Sequence, residues 1–446
     1  MRSVTIFLCL LMLVTVGMTS VSCSPRASWT SSSEEAVREF ESGLESRMKL
    51  YGKEANEHFE KALEMDPDFV LAKLQLVRYV ESKERREQFM EEIRNVDLDT
   101  LTKREHFMVR YQLARMDDQF GEAQTILEEF LKSEPKDPYG VERLAEDAWM
   151  RQDWGAAENA YERLLEIDPN WVTAQNHLGY MAMAQGNFEA AEERFKAYRY
   201  VAPDQANPHD SMGEVYTVVG RYEEALAELE EAVAIRPDFC ASYLHMLEAL
   251  ILDGRPYDGY KVLDRAEENC PKEFGERISI ARCKLAFWTD YIDGDFDAPW
   301  REDRLECTEK VGSRSFLIHR IASLSGRWDE AIAIEDDMAE YIKERSGASE
   351  IEIKTVQGVL EHFKGVRLLA QGETETAIEN MREADELLYY WGQNQGILKL
   401  FNRLNLAFAL ETAGRDEEAN SVLEKVREVN PPFAEAYPDI RDGFSS

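Results

Sequence analysis

The chain has 446 residues, and 44% of them are hydrophobic, which is enough to bury a core and argues against a disordered protein. Acidic residues number 87 against 52 basic ones, so the net charge is −35. This charge argues against binding to nucleic acid, because phosphates would be repelled, and against docking of the folded body on an anionic membrane. We expect most acidic side chains to cover the solvated faces of the fold.

The first predicted element is a targeting segment. Arg2 gives it a positive start, and residues 6–16 form an apolar run of the length found in signal peptides. The run is shorter than the ~20 residues that a membrane-spanning helix needs. We therefore assign residues 1–22 to a signal peptide and expect the protein to be exported.

Cys23 follows the sequence Ser20-Val21-Ser22, which resembles a bacterial lipobox. The resemblance implies that Cys23 receives lipid, becomes the mature N-terminus and is the only attachment to a membrane. The polar residues 23–35 are then predicted to be a flexible tether. The expected location is the periplasm, as an outer-membrane-tethered lipoprotein, and plain secretion is the alternative.

A fixed period dominates the next part of the chain. Five prolines between residues 135 and 271 are each separated by 34 residues, and Pro67 lies two periods before the first of them. This spacing is typical of a helix-turn-helix repeat in which the proline ends the second helix. Small residues recur in the same frame, at Gly179, Gly213, Gly186, Gly220, Gly254, Ala191 and Ala225.

The segments 178–203 and 212–237 carry this pattern of small and large residues almost completely, and they resemble the tetratricopeptide repeat family. The resemblance implies an all-α fold, namely a right-handed superhelical solenoid of antiparallel helix pairs. Residues 36–273 are predicted to form about seven repeats, the second of which is degenerate. Later turns at Gly326, Gly372 and Gly414 are more than 34 residues apart. Residues 274–433 are therefore predicted to form degenerate or extended repeats. Residues 434–446 are predicted to be a C-terminal tail.

The resemblance also implies that the first helix of each repeat lines a concave groove, with fixed repeat positions pointing into it. Aromatic and Arg side chains often anchor interfaces, and Asn can pair with a peptide backbone. The predicted partner-binding residues are Tyr139, Arg143, Trp149, Asn176, His177, Tyr180, Asn207, Asp210, Glu214 and His245.

We find no hydrolase, metalloprotease or nucleotide-binding motif in the sequence, and the seven histidines are scattered singly. We therefore expect no enzymatic activity, no cofactor and no bound metal. Export permits disulfides among Cys240, Cys270, Cys283 and Cys307, for which three pairings are open, and buried free thiols are the alternative.

These features predict a protein-interaction scaffold or assembly factor of the cell envelope, which holds a partner peptide or helix in its groove. The partner is a protein whose identity the sequence does not give. A self-associating structural spacer is the first alternative, and the oligomeric state stays open. An α-helical toroid acting on carbohydrate is the second, suggested by eight Trp, 18 Tyr and abundant Asp. The 34-residue proline spacing argues against it.

Overall fold

The computed structural model describes residues 29–435, except residues 152, 313–314, 345–349 and 391. Within these residues there are 23 α-helices, some short 3₁₀ turns and no strand. The helices are α1 Glu34–Met48, α2 Gly52–Met65, α3 Val70–Leu76, α4 Lys83–Arg94, α5 Lys103–Met116, α6 Phe120–Ser133, α7 Pro138–Met150, α8 Trp154–Ile167, α9 Val172–Ala184, α10 Phe188–Val201, α11 Ala206–Val218, α12 Tyr222–Ile235, α13 Cys240–Leu252, α14 Gly259–Asn269, α15 Gly275–Ile292, α16 Leu305–Val311, α17 Phe316–Leu324, α18 Trp328–Glu344, α19 Glu350–Ala370, α20 Thr374–Leu387, α21 Gly392–Thr412, α22 Asp416–Val429 and α23 Pro431–Glu435.

Each odd-numbered helix from α1 to α21 packs against the even-numbered helix that follows it, and neighbouring pairs stack in turn. The predicted all-α solenoid of helix pairs is confirmed. The signal peptide, Cys23 and residues 436–446 of the predicted tail lie outside the described residues. No helix in the described part of the chain is both long enough and apolar enough to cross a bilayer.

Small residues at the helix crossings explain how the pairs pack so closely. A Cβ atom at Gly179 would lie 2.5 Å from the ring of Phe195, and a Cβ atom at Gly213 would lie 2.5 Å from Leu229. Both of these larger side chains are fully buried. Only glycine therefore allows the second helix of the repeat to place its core side chain on the backbone of the first.

The turns between paired helices need a left-handed residue. Gly186, Gly220 and Gly254 have φ values of 77°, 78° and 72°. In the third pair Asp118 occupies this conformation, with φ 56°, since Asp tolerates it better than most residues. This explains why the third repeat forms without the turn glycine.

The repeats depart from the regular pattern in two ways. In the second pair the first helix, α3, has only seven residues. In the C-terminal half, α15 has 18 residues, and α19 and α21 have 21 each. Lengthened helices therefore account for much of the spacing beyond 34 residues.

The described part of the predicted flexible tether is packed, which corrects that prediction for residues 29–35. Trp29 is 7% exposed and lies edge-on against Phe40, with ring centroids 5.1 Å apart. Thr30 donates from its backbone N and its hydroxyl to Glu105, at 2.6 Å each. Ser33 caps α1 by accepting from the N–H of Ala36. Apolar burial and these bonds hold the segment against the first three repeats.

The four cysteines form two disulfides between neighbouring elements. Cys240 pairs with Cys270, and Cys283 pairs with Cys307. Each bond joins residues within one stretch of about one repeat, so each cross-links a local unit rather than distant parts of the chain.

The solenoid also closes on itself, which the sequence did not predict. Near the N-terminus, the ring of Tyr51 lies under the guanidinium of Arg236, 4.1 Å from its centroid, and Glu54 pairs with the same arginine. At the other end, α21 and α23 pack on α11 and α12 and share one apolar core with them. The first and last repeats therefore both contact the middle of the array.

Candidate partner-binding surface

The predicted partner-binding residues lie on four consecutive first helices. On α7, α9 and α11 most of them are three or four positions apart and share one face, whereas Trp149 follows Arg143 by six positions and lies to one side of that face. Tyr139, Arg143 and Trp149 lie on α7; Asn176, His177 and Tyr180 on α9; Asn207, Asp210 and Glu214 on α11; and His245 on α13.

Tyr139 forms part of an aromatic contact that spans three repeats. Its ring lies edge-on to both Trp29 and Trp171, with centroids 5.6 Å apart in each case, and Arg104 stacks on it at 5.1 Å. Burial raises the pKa of Tyr139 to about 12, so the hydroxyl stays protonated at neutral pH. The chain's own Trp29 therefore covers one face of this predicted contact residue.

Arg143 is the central charge of the α7 surface. It pairs with Glu142 at 3.1 Å and with Glu146 at 2.6 Å, while 34% of its side chain stays exposed. Burial lowers the pKa of the guanidinium, but these two carboxylates outweigh it and raise the pKa overall. Arg143 is thus held in place as a permanent cation that solvent, or a ligand, reaches from one side.

Trp149 and His177 pack together between α7 and α9. Their ring centroids are 4.8 Å apart and nearly perpendicular, and His177 also stacks on Tyr161 at 4.8 Å. The Nδ1–H of His177 donates to the carbonyl of Thr173 at 2.7 Å. Burial lowers the pKa of His177, so it is neutral at pH 7 and its Nε2 is an acceptor.

Asn176 and Tyr180 join α9 to α11. The carbonyl oxygen of Asn176 accepts from the hydroxyl of Ser211 at 3.2 Å. The hydroxyl of Tyr180 donates to Glu214 at 2.5 Å. Both side chains are half-buried, and Tyr180 has its polar end committed to the neighbouring helix.

The structure corrects the prediction for Asn207, Asp210 and Glu214. All 13 residues of α11 are buried, and these three side chains are at most 8% exposed. Asn207 and Asp210 are buried against neighbouring helices, where the amide of Asn207 donates to the hydroxyl of Tyr198 at 3.4 Å and Asp210 accepts from Ser242. Glu214 is buried because α21 covers this part of α11, which a regular solenoid leaves open. The backbone N–H of Gln393 donates to Glu214 at 3.0 Å, and a Cβ atom at Gly396 would lie 2.9 Å from Val218.

Beneath α21 lies a buried cluster of charges. The Nδ1 of His245 is 2.9 Å from Asp210, which also accepts from Ser242 at 2.6 Å. Burial would lower the pKa of His245, but Asp210 and Glu214 outweigh it and raise the pKa to about 10. The imidazolium therefore balances part of the carboxylate charge, which would be costly to bury alone.

The same three side chains have the geometry of a cation site. The ligand atoms of Asp210, Glu214 and His245 all lie within 4.8 Å of one another. Hydrogen bonds from Ser242, Tyr180 and Gln393 already satisfy the two carboxylates. The predicted absence of a metal stays a prediction, and these residues are where a metal analysis of the purified protein should be directed.

The residues that sequence reasoning missed all come from distant parts of the chain. Trp29, Tyr390, Gln393 and Asn430 contact the middle repeats across long sequence separations. No repeat register predicts such contacts. The accessible remainder of the predicted surface is the inner patch, which consists of Tyr139, Arg143, Trp149, Asn176 and His177, all half-buried.

Comparison with known proteins gives one sequence family and several similar folds. The profile of the tetratricopeptide repeat matches residues 113–170 and 142–210. No curated protein matches the chain. The crystal structure of MamA is 18% identical over 37% of this chain and 91% of its own, with a TM-score of 0.33.

Two further structures align with larger parts of the chain. PilW, a type IV pilus biogenesis factor, is 18% identical over 45% of this chain and 97% of its own, with a TM-score of 0.36. A tetratricopeptide repeat protein from Parabacteroides merdae is 13% identical over 74% and 99%, with a TM-score of 0.37.

Proposed function

We propose that this protein, a member of the tetratricopeptide repeat family, is a scaffold that binds a protein partner through its inner patch and acts in the cell envelope. The observation that carries the proposal is the composition of the inner patch. Two large aromatic side chains and an arginine lie half-exposed next to an amide and a neutral imidazole. Aromatic and Arg side chains are the usual energetic anchors of protein interfaces.

The packing of the inner patch suits a rigid binding surface. Arg143 is fixed by two carboxylates and Trp149 by the rings of His177 and Trp154. Side chains that are already ordered lose little conformational entropy when a ligand arrives. The binding surface is shorter than the whole concave groove, because α21 seals the part formed by α11.

The partner test uses a double variant that conserves side-chain size. Arg143→Gln with His177→Gln removes the cation and the imidazole acceptor while retaining polar groups of similar volume. We expect at least about tenfold weaker binding of the partner recovered with the wild-type chain, a change of about 1.4 kcal/mol. Isothermal titration calorimetry or surface plasmon resonance with the purified partner measures the affinity.

The matched control changes an arginine and an aromatic residue outside the inner patch. Arg38→Gln with Tyr200→Ala alters exposed side chains, and Tyr200 is 89% exposed. This variant should bind as wild type does. Equal affinity of all three proteins would remove the inner patch as the binding site. Light scattering that finds only self-association, without any partner, would favour the structural spacer instead.

The envelope location rests on the N-terminal sequence and is tested separately. Metabolic labelling with palmitate in a bacterial host should mark the wild-type chain and not Cys23→Ala. Labelling of neither protein, with release of a mature chain into the medium, would support secretion. The proposal includes no catalytic step, and the expectation that the chain is not an enzyme stays a prediction.

A further inference from the structure

A cavity of about 350 Å³ lies between α13, α15 and α17 on one side and α21 on the other. Its inner wall is apolar and aromatic. The rings of Trp288 and Phe316 face Phe401 of α21, with centroids 6.3 and 5.4 Å from it. Ile397 and Leu398 complete the α21 side. Ligand sites in proteins commonly have this size and this kind of lining.

The cavity is closed toward α11. There α21 lies so close to α11 that a Cβ atom at Gly396 would be 2.9 Å from Val218. Gln393 seals the same end through its hydrogen bond to Glu214. An extended peptide running along the first helices would be stopped at this point. The cavity therefore suits a compact molecule better than a long segment.

One carboxylate marks the polar end of the cavity. Glu248 lines it and accepts from the amide of Gln393 at 2.8 Å. Burial raises the pKa of Glu248 and outweighs the opposing effects of the His245 imidazolium, the amide of Gln393 and Lys284. Lys284 also lines the cavity, is exposed to solvent, and acts on Glu248 through its charge. A cation that entered the cavity would find a carboxylate held in place by the amide of Gln393, with Lys284 as the competing positive charge at the exposed edge.

The aromatic wall and the charge of the chain favour the same kind of ligand. Aromatic rings pack favourably against the rings of Trp288, Phe316 and Phe401, so the wall suits the apolar body of an amphipathic molecule, and Glu248 suits its ammonium group. The net charge of −35 raises the local concentration of cations near the protein. Since one water occupies about 30 Å³ of liquid, the cavity has room for about a dozen heavy atoms.

We propose that this cavity binds a compact amphipathic organic cation, whose aromatic or branched apolar body lies against Trp288, Phe316 and Phe401 and whose ammonium group pairs with Glu248. The site is separate from the inner patch and does not depend on a protein partner. Binding needs no covalent step.

The test compares three probes of similar shape and different charge on the full-length chain. Tryptamine carries an ammonium group, 3-ethylindole is neutral and indole-3-propionate is an anion. We expect isothermal calorimetry to show saturable binding of tryptamine, at least about tenfold tighter than that of either other probe. No saturable binding of either tryptamine or 2-phenylethylamine would overturn the proposal.

Three variants locate the site and fix the sign of the ligand charge. Glu248→Gln keeps the acceptor oxygen for Gln393 and should weaken tryptamine binding about tenfold or more. Lys284→Gln should leave that affinity unchanged or improve it, because it removes a positive charge. Leu398→Trp should fill the cavity and abolish binding. Preferential binding of indole-3-propionate that is lost in Lys284→Gln would contradict the assignment of a cationic ligand.

Discussion

Asn430 joins the last repeat to the middle of the array. It is fully buried, and its amide donates to the carbonyl of Val218 at 3.0 Å and to the hydroxyl of Tyr222 at 3.1 Å. Its oxygen accepts from the N–H of Phe433 at 2.9 Å. One side chain therefore satisfies the end of α11, the start of α12 and the start of α23, which would otherwise be buried with open hydrogen-bonding groups.

Replacement of Asn430 by Ala should destabilise the protein by about 1–3 kcal/mol, because it leaves a buried carbonyl and a buried N–H without partners. Urea unfolding followed by circular dichroism measures the change. Asn380→Ala is the matched control, since the amide of Asn380 is exposed and bonds only within its own helix. A loss equal to that of the control would show that water replaces these bonds.

His362 is a buried neutral histidine in the C-terminal half. Its Nδ1 lies 3.0 Å from the oxygen of Asn402, whose amide group donates to the carbonyl of Met381 at 2.8 Å. The amide orientation makes Nδ1 the protonated nitrogen of the neutral ring. Burial lowers the pKa of His362 to about 3, well below the ordinary value near 6.5.

This shift predicts the direction of a pH effect on stability. Between pH 6.5 and about 3 the unfolded chain binds a proton at His362 and the folded chain does not, so stability falls as the pH falls through that window. We expect a loss of about 2 kcal/mol between pH 7 and pH 5. His362→Gln should lose that part of the pH dependence, whereas the control His106→Gln, a change of a different histidine on α5, should keep it. If the free energy of unfolding changed with pH in the same way in the wild type and in both variants, the prediction would be contradicted.

At the scale of elements, the docking of α21 on α11 decides which surface is open. The contact depends on Gly396, which brings the two helices together at Val218. Just before α21, Tyr390 extends the contact to α10, where its ring lies edge-on to Phe188 at 5.1 Å. The apolar core that follows includes Leu400, Leu404 and Phe433.

Gly396→Val should separate α21 from α11, because the added side chain overlaps Val218. We expect a loss of about 1–3 kcal/mol and faster hydrogen exchange along α11, read by mass spectrometry. Gly155→Ala is the control: it lies in α8 with open space around it, so added helix propensity should leave stability unchanged or slightly raised. Unchanged exchange in α11 would mean that α21 adjusts without undocking.

At the scale of the whole molecule, the two ends of the solenoid contact the same middle repeats. The N-terminal contact includes Arg236 with Tyr51 and Glu54, and Tyr51 also accepts from the N–H of Ala206 at 3.3 Å. Beside them Lys49 pairs with Asp204, and Met48 packs on the apolar cluster of α9 and α10. An open solenoid unfolds progressively, because each repeat contacts only its neighbours. Contacts between distant repeats should therefore make the unfolding of the terminal repeats depend on the unfolding of the middle repeats.

Arg236→Ala with Tyr51→Phe should weaken this dependence. The two changes remove the ion pair, the cation–π contact and the hydrogen bond to Ala206, for a combined loss of about 1 kcal/mol. Hydrogen exchange should speed up in α1 and α2 and stay unchanged in α17–α20. Arg38→Ala, which removes an exposed pair with Glu35, is the control. A uniform change across all helices would argue against a separable N-terminal contact.

The sequence by itself determined the repeat architecture. The 34-residue proline spacing, the crossing glycines and the turn glycines each specify a contact within a repeat or between neighbours, and those contacts lie close in sequence. Gly179 and Gly213, two of the small residues of that frame, accordingly lie where Phe195 and Leu229 pack. The order of first helices along the inner side followed from the same period.

Only the tertiary structure decided which parts of that inner side are accessible. Small rotations add up from one repeat to the next, and the long helices α19 and α21 follow no fixed period. The place where the last repeats contact the middle ones therefore cannot be predicted from any local sequence pattern. As a result α21 buries Glu214, while the inner patch stays half-exposed. Local periodicity fixes neighbouring contacts, and the accumulated curvature fixes the distant ones.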